Sequence, residues 1–201
     1  MPRRSYDQFC PIARALDHLG ERWTLLVVRE LLGGARRYSE LLADLPGVST
    51  DVLAARLKEM ERDGLVARRR AGRSPAHVYE LTPAGHELGP VLTALAGWGG
   101  ARLGERRSTD SLRTHWLALP LAGILRPCLG DAGTAEVRVG DASLVLRFEG
   151  PRTSYVDGPA GQADVVVTMD SETATALVTG RLAWADAVAT NQVMVHERVP
   201  A

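Results

Sequence analysis

The chain is poor in what several classes of function require. It holds two cysteines, Cys10 and Cys128. They sit far apart, with no Cys-x-x-Cys pair and no histidine at metal-ligand spacing, so no metal site is expected. In a reducing compartment a structural disulfide is not expected either. No apolar run approaches the roughly 20 residues of a membrane-spanning helix, so no membrane partner is expected. The opening Met-Pro-Arg-Arg-Ser-Tyr-Asp-Gln has basic residues but no apolar stretch behind them, unlike a secretory signal, and a cytoplasmic location is expected. A nucleophile elbow, a phosphate-cradling glycine loop and a metal constellation are all missing. Neither an enzyme nor a cofactor is therefore expected. Internal repeats and low-complexity tracts are absent too. Lysine occurs once, at Lys58, and every other permanent side-chain cation is arginine. That bias reflects genome composition rather than mechanism.

What is present is unevenly distributed. The formal net charge of zero hides an asymmetry: residues 1–107 hold 17 Lys/Arg against 13 Asp/Glu (+4), and residues 108–201 hold 7 against 11 (−4). A basic half beside an acidic half is a hint of a nucleic-acid partner for the basic part. Pro11 suits the first turn of a helix carrying Ile12, Leu16 and Leu19, which Gly20 ends. Within that helix, Asp17-His18 has no third group or nucleophile at a recognisable spacing and reads as helix surface. Trp23 to Leu32 is strongly apolar and stops at Gly33-Gly34. A shorter segment is predicted to start near Ser39 as N-cap, and Pro46-Gly47 breaks it as a tight turn. Ser49 then caps a helix running to about Arg62. Its Leu53, Leu57 and Met60 form one stripe, and Asp51, Ala55, Lys58 and Arg62 lie opposite at about 100° per residue. The two helices around the Pro-Gly turn make a helix-turn-helix candidate.

A basic hairpin follows. Leu65 to Arg70, the turn-rich Ala71-Gly72-Arg73-Ser74-Pro75, and Val78 to Leu81 read as two strands and a tip. Thr82-Pro83 opens a long helix through Leu88, Val91, Leu92, Leu95 and Trp98, with more apolar surface than a small domain covers alone. A helix presented by a short turn can lie in a major groove while a basic hairpin reaches the adjacent phosphates or minor groove. On that logic Ser49, Thr50 and Asp51 meet base edges, and Ala55, Lys58 and Arg62 continue the same outward face. Arg36, Arg37, Arg69, Arg70, Arg73 and Ser74 suit the sugar-phosphate backbone.

The stretch Cys10-Pro11, then Gly-Glu-Arg-Trp-Thr-Leu-Leu-Val-Val-Arg-Glu-Leu at 20–31, resembles the opening of the HxlR-type winged-helix regulators. So do Arg37-Tyr38-Ser39-Glu40-Leu41, the run Leu53 to Val66, and Val78-Tyr79-Glu80-Leu81-Thr82-Pro83-Ala84-Gly85 through to Trp98. The resemblance covers nearly all of residues 8–103 in one unbroken order. It implies a homodimer on double-stranded DNA, with terminal helices packing across a two-fold axis. Arg22 replaces the lysine common before that tryptophan. Some members sense oxidants through a cysteine at the position of Cys10. The competing reading of Cys10 is a buried small apolar residue.

Residues 99–111 are rich in Gly, Arg, Ser and Asp and mark the expected domain boundary. Leu112 to Leu125 reads as helical, with Trp116 and Leu119 on one face and a kink or break at Pro120. From Ala135 the period changes to two: Val137 and Val139, then Leu144, Leu146 and Phe148 after a Gly-Asp turn. Ala163 to Met169 is a third strand, Asp170 caps a helix with Leu177 and Val178, another helix lies within Leu182 to Thr190, and Val193 to His196 is a last short strand. The run Ala163 to Met169 followed by helix, Gly180, helix and strand resembles the sterol-carrier-protein-2 fold, an antiparallel sheet covered by helices around an apolar tunnel. Its end, Asn191 to His196, lacks the usual Gly-rich turn and lysine-bearing strand.

The expected architecture is thus α+β: a winged helix-turn-helix for DNA binding and dimerisation over 1–103, and a sterol-carrier-like effector-binding domain over 112–201. Trp116, Leu119, Leu146, Phe148, Leu177 and Trp184 would line a site for a small apolar or lipid-like effector, or else simply fill a core. The alternative function is a lipid-binding carrier or accessory protein whose helix-turn-helix serves protein contacts.

Overall fold

A computed structural model of the chain describes residues 5–72, 76–130, 132–150 and 152–197. The chain divides into two compact units, Met1–Leu88 and Gly89–Ala201. The division falls upstream of the 99–111 segment expected as the boundary.

The first unit runs α1 (Pro11–Leu19), α2 (Thr24–Leu32), β1 (Arg36–Arg37), α3 (Tyr38–Asp44), α4 (Thr50–Arg62), β2 (Val66–Arg70), β3 (His77–Leu81) and α5 (Pro83–His86). Its core joins Val27, Val28, Leu31 and Leu32 of α2 to Leu41 of α3 and to the α4 stripe Leu53, Leu57 and Met60, closed by Val66, Val78 and Leu81. Burying one such side chain stabilises by about 1.5–3 kcal/mol. The three strands form an antiparallel sheet in the order β1-β3-β2.

Caps set the helix ends. Ser49 Oγ accepts from the Val52 N–H at 3.3 Å, satisfying one of the orphan donors at the start of α4. Gly64, at φ +71°, takes the left-handed turn beyond its C-terminus. Thr82 Oγ1 accepts from the Gly85 N–H at 3.2 Å and donates to the Gly64 carbonyl at 2.5 Å, tying the start of α5 to the end of α4. A Cβ at Gly85 would overlap the Leu65 carbonyl oxygen, so the close approach requires glycine there.

Three expectations for this region change. The α3 helix starts at Tyr38, with the Glu40 carboxylate accepting the Arg37 N–H at 2.6 Å, so Ser39 lies inside the helix instead of capping it. The helix expected from Pro83 through Trp98 is broken after His86, because Pro90 has no N–H to donate and its ring would meet the carbonyl of His86. Asp17 and His18 are more than helix surface: Asp17 accepts from the Tyr6 N–H at 3.0 Å, and His18 Nδ1 lies 3.2 Å from Asp63 Oδ2.

The second unit contains α6 (Gly89–Gly100), a 3-10 turn (Thr114–Leu117), α7 (Ala118–Leu129), β4 (Ala132–Val139), β5 (Ala142–Glu149), β6 (Arg152–Asp157), β7 (Val165–Met169), α8 (Ser171–Val178), α9 (Trp184–Ala189) and β8 (Val193–Glu197). The strand order is β6-β5-β4-β7-β8. Alternation sends Ala135, Val137, Val139, Leu144, Leu146, Phe148, Val165, Val167 and Met169 to one buried face, shared with Leu121, Leu125 and Leu177 of the helices.

The sheet is mixed rather than antiparallel as expected, since β4 and β7 run parallel from Ala135↔Val165 to Val139↔Met169. The β4-β5-β6 meander leaves the chain at Asp157, and the 158–164 connection carries it back past two strands. Strand β7 must then start at the same end as β4. Strand β6 escaped the sequence pattern because its buried positions, Thr153 and Tyr155, are polar or amphipathic. Pro120 makes no break: it sits in the first turn of α7, where an N–H is not needed. Among the described residues no helix is long and apolar enough to cross a membrane.

Candidate nucleic-acid interface

The exposed side of α4 is the side opposite its buried stripe. Ser49, Thr50, Asp51, Ala55, Lys58 and Arg62 are all exposed, together with Val52 and Ala54. Tyr38, at the start of α3, donates its hydroxyl to the Thr50 carbonyl at 2.7 Å. That bond pins the entry of the first helix of the motif to the first turn of the second. It escaped sequence reading because the two residues are twelve apart and no local pattern links a tyrosine to a carbonyl. The N-terminal turn of α4 therefore presents Thr50 and Asp51 from a fixed position. Threonine serves several bases, an aspartate can accept from cytosine N4, and Ala55 or Val52 can meet a thymine methyl. Lys58 makes no ion pair among the described residues. Arg62 Nε lies 3.7 Å from Asp63 Oδ1 but remains mostly exposed.

The basic residues beside this helix are not equivalent. Arg36 is largely buried and its Nη1 lies 3.4 Å from Asp44 Oδ2, so it serves the fold of the motif before it can serve a phosphate. Arg37 is exposed. In the hairpin, Arg69 Nε donates to Glu80 Oε2 at 2.5 Å across the β2-β3 pair. Arg70 is exposed and has no such carboxylate among the described residues. Arg68, not anticipated, is also exposed and stands opposite Tyr79 in the register. Burial pushes the Tyr79 phenol above its ordinary value, with the Arg68 charge opposing, so the ring keeps its proton at neutral pH. Arg73 and Ser74 lie outside the described residues.

A helix-turn-helix locked by a tyrosine hydroxyl, with an exposed recognition face and a three-stranded basic wing, agrees with the comparisons. A family model for the HxlR-like helix-turn-helix matches residues 18–107. An HTH-type transcriptional regulator of Synechocystis sp. is 41% identical over 106 residues, which is 52% of this chain and 78% of that protein. The chain belongs to the HxlR-like helix-turn-helix family. The HTH-type transcriptional regulator YvaP of Bacillus subtilis is 41% identical over 94 residues, 46% of this chain and 87% of its own length. YtfH of Escherichia coli, of the same type, is 38% identical over 94 residues, 46% of this chain and 75% of its own length. These relatives are named as HTH-type transcriptional regulators, and this chain is such a regulator.

In the second unit, Leu119, Leu146, Phe148 and Leu177 are packed core residues, while Trp116 and Trp184 are half-buried. Arg126 stacks over Phe148, 5.0 Å from the ring centroid, and donates to the Gly150 and Arg152 carbonyls at 2.6 and 3.1 Å. Those bonds hold the β5-β6 corner shut. Cys10, the N-cap residue of α1, is a half-buried free thiol, and Cys128 is an exposed one.

Proposed function

We propose that this HxlR-like regulator grips double-stranded DNA as a homodimer, through the outward face of α4 and the arginine wing. In this reading Thr50 and Asp51 meet base edges, with Ser49, Ala55, Lys58 and Arg62 along the same face. Arg37, Arg69, Arg70, Arg73 and Ser74 neutralise phosphates, and Arg36 positions the motif through Asp44. The observation that carries the reading is the Tyr38–Thr50 bond, which holds the recognition turn rigid beside a basic hairpin. Exposed apolar surface supports the dimer. Tyr6, Phe9, Ile12 and Leu16 are exposed on and before α1, and Val91, Leu95 and Trp98 form an exposed stripe on α6 at helical spacing. A mobility-shift assay on the DNA beside its own gene tests the reading: wild type retards the duplex, and Lys58→Ala with Arg70→Ala abolishes the shift without lowering the melting temperature.

Residues 112–201 are, in the same proposal, a sterol-carrier-like module through which a small apolar effector modulates a cytoplasmic regulator. Support comes from a sheet with one apolar face and from the half-buried Trp116 and Trp184 in the same unit. Titration with fatty acids or sterols, followed by tryptophan fluorescence and melting temperature, checks it. A thiol switch at Cys10 is the second route to modulation, favoured by its partial exposure at a helix start. It predicts that diamide alters DNA affinity of wild type but not of Cys10→Ser.

A further inference from the structure

The α4 helix has a third side, used neither by the core nor by the outward face. At about 100° per residue, Arg56, Glu59 and Asp63 lie together between the buried stripe of Leu53, Leu57 and Met60 and the face of Asp51, Ala55, Lys58 and Arg62. This side is attached to the corner between α1 and α2 at two points. Arg56 Nη2 lies 3.4 Å from Glu21 Oε2, while its Nη1 donates to Glu59 Oε2 at 2.5 Å. Two turns further on, Asp63 Oδ2 lies 3.2 Å from His18 Nδ1. A carboxylate only accepts, so Nδ1 carries the proton in this contact.

Both attachments run against a local preference. The Arg56 side chain is 13% exposed, and its buried Nε has no partner among the described residues. A donor left unmade costs stability, and an apolar residue of similar size would escape that cost. Asp63, 9% exposed at its side chain, puts a carboxylate at the C-terminal end of α4, where the helix dipole disfavours it. Arg62 offsets part of that charge, with its Nε 3.7 Å from Asp63 Oδ1. What the two pairs supply is a defined angle more than stability.

The corner they hold leads to one of the surfaces proposed for the dimer. Helix α1 turns Ala13 and Asp17 inward and Ile12 and Leu16 outward. Asp17 accepts from the Tyr6 N–H at 3.0 Å and the Ser5 hydroxyl at 3.4 Å, which ties the segment before α1 to the same helix.

We infer that the His18–Asp63 and Glu21–Arg56 pairs fix the angle between α4 and the dimer surface of α1, and so set the half-site spacing that the regulator accepts. The inference rests on the homodimer proposed above. These four are positioning residues, acting through α4 rather than on the duplex. In a two-fold dimer both recognition helices meet successive major grooves only if each is held at one angle to the shared surface. One added base pair moves a half-site by about 3.4 Å and turns it by about 35°, which a rigid attachment cannot follow.

The test uses the full chain on palindromic duplexes built from the half-site that wild type enriches from a random pool. They carry the selected spacing, or one base pair more or fewer, beside a duplex with a single half-site. Wild type is expected to lose about tenfold or more in affinity at either altered spacing. His18→Ala with Glu21→Ala leaves α4 itself unchanged and should cut that loss to about threefold or less, while single half-site affinity and its salt slope stay as in wild type. His18→Asn keeps a donor near the place of Nδ1 and should stay as strict as wild type, where His18→Ala does not. Should the double variant fold poorly, Glu21→Ala alone changes an exposed side chain and is expected to loosen the spacing in the same direction. Undiminished strictness in these variants, equal losses on palindrome and single half-site, or a wild type indifferent to spacing would each overturn the inference. Enrichment of no sequence, or of an asymmetric one, would instead remove the homodimer reading and the inference with it.

Discussion

Replacing Arg70 by alanine is expected to weaken DNA binding uniformly across sequences and to flatten its salt dependence. Arg70 is exposed on the wing strand, and no carboxylate among the described residues competes for it. Each phosphate contact adds about 0.9 to the slope of log K against log salt. A dimer presents the residue twice, so the slope should fall by about 1.8. Measured against about 1 M salt, where the counterion term vanishes, that corresponds to about 30-fold in affinity at about 0.15 M, or about 2 kcal/mol. Between about 50 and 200 mM salt the defect itself should shrink by about 12-fold. Fluorescence anisotropy of a labelled duplex, titrated at several salt concentrations, reads both quantities. The internal controls come from the ion pairs. Arg69 already donates to Glu80, so Arg69→Ala should flatten the slope less. Arg36→Ala should leave the slope alone and lower the melting temperature, because Asp44 loses a half-buried partner. An unchanged slope for Arg70→Ala, or a loss confined to one sequence, would refute the assignment of this arginine to the phosphates.

Other outcomes follow from single contacts. Tyr38→Phe removes one hydroxyl bond to Thr50 and should cost about 1 kcal/mol of stability, with a larger fractional loss of sequence discrimination than of non-specific binding. Ser49→Ala uncaps α4 and should cost about 1 kcal/mol in chemical denaturation. Gly85→Ala drives a Cβ into the Leu65 carbonyl and should cost at least about 1–3 kcal/mol in the same measurement. Trp98→Arg should shift sedimentation from dimer toward monomer, as the exposed α6 stripe gains a charge. Backbone and side-chain hydrogen bonds from Thr134 and Thr173 hold Asp164 and Asp170 below the usual carboxylate range. Their contribution is complete above the unfolded value of about 3.9 and is lost as pH falls through the lower folded values. Acid melting curves of Asp164→Asn and Asp170→Asn should therefore converge on wild type at low pH and diverge above about pH 4.

The winged half was legible because each signal was local. Ser49 and Thr82 cap where their hydroxyls suggest, and the α4 stripe of Leu53, Leu57 and Met60 is buried as its spacing requires. What is hidden from the sequence is non-local pairing, and a single proline within a periodic pattern. The two-residue strand β1 exists only because Arg36 and Arg37 pair with Tyr79 and Val78 some forty residues on. Pro90 sits inside an otherwise continuous apolar pattern, and it splits the helix there. In the second unit the two-residue alternation located β4, β5 and β7, but direction is not written in alternation, and the parallel β4-β7 pair depends on where the 158–164 connection returns the chain. For the candidate site, the composition of the arginine run was plain from the sequence. Which arginines are already engaged, Arg36 by Asp44 and Arg69 by Glu80, required the fold.

The most direct measurement is selection of bound duplexes from a random pool by the purified full chain, followed by footprinting on the enriched sequence. A palindromic site is expected, with two major-groove half-sites protected about 10–10.5 base pairs apart or at a multiple of that spacing, on one face of the duplex. Thr50→Ala and Asp51→Ala are expected to relax selection at the same positions in both halves. No enrichment, or an asymmetric site insensitive to changes at Thr50 and Asp51, would contradict the proposed grip on DNA.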